Sequence, residues 1–132
     1  MGSFSNYAEL KILDHIVGKT SFTMPTNIYL ALSTADPTDD GSGIAEPVGN
    51  NYSRKQTVGA DWAAASGGAI TSAADLSFAE ASGSWGTITH FAAFDAASGG
   101  NMLFHGALAA MKPIGSGDTF KFAAGDIDAT LD

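Results

Sequence analysis

From Trp85 to Leu108 the chain reads WGTITHFAAFDAASGGNMLFHGAL, and apolar or small residues fill both registers of an alternating pattern. Ile88, His90, Ala92 and Phe94 share one face of a predicted strand, while Thr87, Thr89, Phe91 and Ala93 share the other. The run from Asp95 to Asn101 is dense in residues that tolerate positive φ or bond their own backbone, so it predicts a turn. A second strand follows over Met102–Leu108 with Met102, Phe104 and Leu108 on one face. Strands apolar on both faces belong inside a layered structure rather than half open to water.

The same alternation predicts a strand over 27–34, where Ile28, Leu30 and Leu32 oppose Tyr29, Ala31 and Ser33. Further strands are expected at 52–58, 69–72, 74–78, 119–122 and 127–131, the last with Ile127, Ala129 and Leu131 in phase. One stretch carries the helical period instead. Over 7–17, Tyr7, Leu10, Leu13 and Val17 form a stripe with Ile16 beside it. Asn6 is the expected N-cap, with Glu9 three residues on, and Gly18 the stop. That stripe predicts a helix laid on a sheet or on a neighbouring chain. One short helix and seven or eight short strands predict a mainly β domain spanning 1–132. An antiparallel β-sandwich, jelly-roll-like or immunoglobulin-like, fits that count.

Between the strands at 27–34 and 52–58 lies ADPTDDGSGIAEPVGNN, residues 35–51, with two prolines, three glycines and four acids. Loops of this length without secondary structure are uncommon in compact domains and are commonly functional, so a contact arm is expected here. Asp36, Thr38 and Asp40, with Asp39 between the last two, put oxygen donors at positions one, three and five ahead of Gly41 at six, like the start of a calcium loop. Position twelve is Pro47, however, and no helix flanks the segment, so a solvated acidic turn is the better reading and no metal is expected.

Charge narrows the choice of partner. Fourteen acids against six scattered bases give a net charge of −8. Nucleic acid and anionic membrane surfaces both need clustered positive charge, so neither is expected as a partner. The absence of cysteine excludes disulfides, thiolate metal sites and a cysteine nucleophile. His90 and His105 fall on the two central strands, but no third ligand follows from spacing, so both are read as packing residues. No G-x-S-x-G and no P-loop occur, and neither a catalytic residue nor a cofactor is expected. Trp62, in Ala-rich sequence, is read as core or as an interface anchor. The interface candidates are Tyr7, Leu10, Asp36, Asp39, Asp40, Tyr52, Arg54 and Trp62.

Several blocks together resemble a known family. They are Ile12-Leu13-Asp14-His15, NIYLALSTADPTDDGSG, Glu46-Pro47, Asn51-Tyr52-Ser53-Arg54, Trp85–Phe91, Phe94-Asp95, Gly99–Leu103, Gly106-Ala107-Leu108, Lys112-Pro113, Gly117-Asp118-Thr119, Ala124–Ile127 and Thr130-Leu131-Asp132. They are similar to small virion-associated proteins of tailed bacteriophages, commonly labelled tail-fibre-like or structural. The resemblance covers nearly the whole chain and is weakest from Trp62 to Ala74. It implies a structural protein of the virion, not an enzyme. Partners would be the major capsid protein or other virion proteins, with the chain itself forming a homo-oligomer. The expected role is a capsid cement or decoration protein that binds between capsid subunits. The alternative is a tail, collar or fibre-associated module that contributes to host-surface attachment.

Overall fold

The computed structural model describes residues 2–131. The protein is mainly β with one helix, in the order β1 (Gly2–Phe4), α1 (Asn6–Ile16), β2 (Ile28–Ser33), β3 (Lys55–Thr57), a short 3-10 turn (Gly59–Asp61), β4 (Ala69–Thr71), β5 (Leu76–Ser77), β6 (Gly86–Phe94), β7 (Met102–Ile114), β8 (Lys121–Phe122) and β9 (Asp128–Thr130). Seven strands form one curled sheet in the order β3-β2-β6-β7-β1-β9-β4, and β5 pairs with β8 in a second, small sheet. The arrangement is sandwich-like, as the strand pattern predicts.

The pair β6–β7 is the centre of the sheet. Asp95 closes its turn by accepting hydrogen bonds from the Asn101 backbone N–H (2.7 Å) and side-chain amide (2.9 Å), while Gly99 and Gly100 take positive φ. On one side, Ile88, Phe91 and Ala93 join Leu30 and Leu32 of β2, Phe104 of β7, and Leu76, Phe78, Phe120 and Phe122 around the small sheet. Leu30, Leu32, Ile88 and Ile127 are completely shielded, each worth roughly 2 kcal/mol of burial. On the other side, Ala31, Ala92, Phe94 and Met102 form a second cluster covered by Ile44 from the long loop. The double-sided apolar pattern of the central strands therefore reflects two separate coverings.

Three features differ from the sequence pattern. A strand precedes the helix: β1 pairs antiparallel with β7 and parallel with β9, the one parallel pair among the described residues of an otherwise antiparallel sheet. Its glycine explains the fit, because a Cβ at Gly2 would lie 2.8 Å from the Asp128 carbonyl oxygen and 2.9 Å from that of His105. The N-cap is Ser5, not Asn6. The buried Ser5 Oγ accepts from the Ala8 N–H at 3.2 Å and donates to the Met102 carbonyl, so one hydroxyl both caps the helix and ties it to β7. Finally, β7 continues beyond Leu108 to Ile114, where it pairs with the start of β6.

Candidate assembly surface

The helix α1 lies on the body through a narrow face. Ala8 is 2% exposed and is its one fully buried residue. A small side chain there lets the helix approach β7 closely. Tyr7 is half-buried, edge-on to Phe22 at 6.4 Å, with the Lys11 ammonium 5.6 Å from its ring. The apolar stripe points the other way. Leu10, Leu13, Ile16 and Val17 are 62–75% exposed, at spacings that put them on one side of the helix. In the loop that follows, Met24 is also open to solvent.

The long acidic loop is not a free arm. Pro37 is completely buried. Ser33 Oγ accepts from the Ala45 N–H at 3.0 Å, and Thr34 N–H donates to the Ala45 carbonyl at 3.0 Å. Arg54 holds Glu46 through both carboxylate oxygens, at 3.0 and 2.7 Å. It also donates to the carbonyls of Ala96 and Gly99, each at 2.8 Å, and lies 3.8 Å from the Phe94 ring centre. Its side chain is only 6% exposed. One guanidinium thus ties the loop to the β6–β7 turn with its fork geometry fully used. Tyr52 reinforces the tie by donating to Glu46 (2.8 Å) and accepting from the Leu32 N–H (3.0 Å). Burial, with the Glu46 carboxylate beside it, pushes the phenol well above its ordinary pKa. The far end of the loop is pinned by Asn50 and Asn51 to the carbonyls of Ser84 and Glu80, and by the Trp85 indole N–H to the Asn50 carbonyl.

The acids expected at the contact surface divide. Asp39 pairs with His105 Nε2 at 2.9 Å, and its carbonyl accepts from the first N–H of α1. Asp36 accepts from the Thr38 N–H at 2.9 Å and lines a shallow hollow with His90 and His105. Asp40 accepts from the Thr38 hydroxyl (2.7 Å) and the Ser42 N–H (3.0 Å), which hold its pKa down at about 2. Trp62 faces inward: its indole N–H donates to Thr57 Oγ1 at 3.0 Å and its ring meets Phe104 edge-on at 5.8 Å.

Of the eight candidates, Leu10, Asp36 and Asp40 stand open to solvent. Asp39 is exposed but paired, Tyr7 is half-buried, and Tyr52, Arg54 and Trp62 fasten the protein to itself. Leu13, Ile16, Val17 and Met24, outside the eight, make with Leu10 the apolar exterior of this region. The stripe was visible in the helical period; its outward direction was not.

Residues 3–130 match the family described as podophage GP4 fiber I protein gp80, which is nearly the entire chain. No curated protein matches.

Proposed function

We propose, since the chain belongs to the podophage GP4 fiber I protein gp80 family and is a structural protein of the phage virion, that it is a tail- or fibre-associated subunit that joins other virion proteins through the outer face of α1. The observation that carries this is the helix orientation. Leu10, Leu13, Ile16 and Val17 face solvent while Ala8 faces the body. An apolar stripe of this spacing suits a groove on a partner, and each such side chain gains roughly 2 kcal/mol when covered. Asp36 and Asp40 give the nearby surface negative charge that sets orientation more than affinity.

The capsid-cement role expected from the sequence has less behind it. The matching family is named for a fibre, and the acidic loop that would reach across to a capsid neighbour is bonded along much of its length to its own chain. A homo-oligomeric arrangement remains compatible with the same helix face, as a second copy is itself a virion protein.

The test is incorporation. In phage carrying Leu10→Glu with Leu13→Glu, the purified protein should keep its fold by circular dichroism and its melting temperature, yet be depleted from purified particles. Normal incorporation of the folded double variant would refute the role of this face.

A further inference from the structure

We propose that a cavity between β7 and β8 is a binding site for an acidic sugar. It is separate from the α1 face. The site begins with an irregularity in the central ladder. His90 pairs with Ala107 and Ile88 with Lys112, so Leu108, Ala109, Ala110 and Met111 stand opposite Thr89 alone. Four residues against one make a far larger outward bend than an ordinary bulge, and such features commonly re-aim side chains beside a site. Ala109 and Ala110 are exposed and form a lip.

Beside the lip is a cavity of about 440 Å³, with Phe91, Phe120 and Phe122 as its floor and Lys112, Lys121 and Asp126 at its polar rim. That volume lies within the range of small-molecule sites. Two of the six bases of a chain with net charge −8 converge here. Lys112 Nζ sits 5.4 Å from the Phe120 ring centre and forms no ion pair with a carboxylate among the described residues. Lys121 reaches Asp75 at 3.4 Å, but both are more than half exposed, so that pair is weak and exchangeable. Asp126 spends one oxygen on the Ala123 N–H at 2.8 Å and leaves the other for a donor.

Those groups define the ligand's chemistry. Two ammonium groups call for an anion. A carboxylate on the same rim calls for a hydroxyl donor and disfavours a purely apolar anion. The apolar phenyl floor suits the C–H surface of a saturated ring. A uronic or sialic acid unit supplies all three. More distant acids are screened beyond about 8 Å in physiological salt; at the rim Asp126 and Asp75 balance the two lysines, and Lys112, which has no carboxylate partner among the described residues, is the cation open to an anionic ligand.

The test uses the full chain, isotopically labelled, titrated with sodium glucuronate and with N-acetylneuraminate while backbone amide signals are followed. Glucose, acetate and hexanoate are the controls. At least one acidic sugar should give saturable shifts confined to residues 106–112 and 120–126, with a Kd on the order of 1 mM. Lys112→Ala with Lys121→Ala, both on exposed positions, should weaken binding roughly tenfold or more without moving signals elsewhere. Absence of saturable shifts with both sugars would overturn the proposal. So would shifts that survive the lysine variant, or hexanoate binding as tightly as the sugars.

Discussion

Arg54 shows how much of the molecule rests on one side chain. Its guanidinium is almost fully buried, bidentate with Glu46, and bonded to two carbonyls of the β6–β7 turn. Arg54→Ala would leave the Glu46 carboxylate without its cation and held by Tyr52 alone, at a cost of about 3 kcal/mol in denaturant unfolding. Arg54→Lys should recover little of that, since an ammonium cannot reproduce the fork. The sequence marks Arg54 as an interface candidate, and nothing in it points to the inward role the structure shows. Its partners lie 8, 42 and 45 positions away, and no periodic pattern reports contacts of that range. Asp40 carries a different consequence. Its pKa is depressed, so the turn it bonds is supported throughout the range above the ordinary carboxylate pKa. That support is lost only as pH falls through about 2. Carbon-detected titration of the Asp40 carboxyl should place its midpoint near there, and Thr38→Val should move it upward.

Helices and strands were legible to different degrees. β2 and β6 follow from alternation because both registers carry residues that must be covered. β1 does not, since Gly-Ser-Phe has neither length nor pattern, and its reason for existing is the close approach that Gly2 permits between β7 and β9. Gly2→Ala would drive a methyl into two carbonyl oxygens and should cost about 2 kcal/mol, read as a lowered melting temperature with weakened amide protection in β1 and β9. The extension of β7 was hidden by the bulge at 108–111, which breaks the two-residue period. For α1, the period fixed the apolar stripe and Gly18 the end, but not which side meets the body. Ala8 decides that, because the tight contact with β7 accommodates a methyl and not a leucine. Ala8→Leu should therefore lift the helix and destabilise the protein by about 2 kcal/mol. Leu10→Glu, on the opposite face, should change stability by no more than about 0.5 kcal/mol. The contrast between these two variants separates folding from assembly.

For the whole molecule, the sequence conveyed a mainly β virion protein with one helix, and the family match agrees. It pointed less well to the parts that meet neighbours. The long acidic loop looked like an arm because acids, glycines and prolines without periodicity read as solvent-exposed chain. In the structure Pro37 and Ile44 are folded inward, and the loop serves as a cover for the central strands. In the proposed assembly the apolar exterior of α1 takes over the contact role expected of that loop. Such a division suits the proposed subunit, rigid in its body and presenting a helix to neighbouring virion proteins. The most direct test is electron cryomicroscopy of intact particles, locating this chain and its α1 face. The account predicts a small number of copies at the tail or its fibres, with Leu10, Leu13, Ile16 and Val17 covered by a neighbouring chain. Copies by the hundred over the head, or an α1 stripe left open to solvent in the assembled particle, would contradict it.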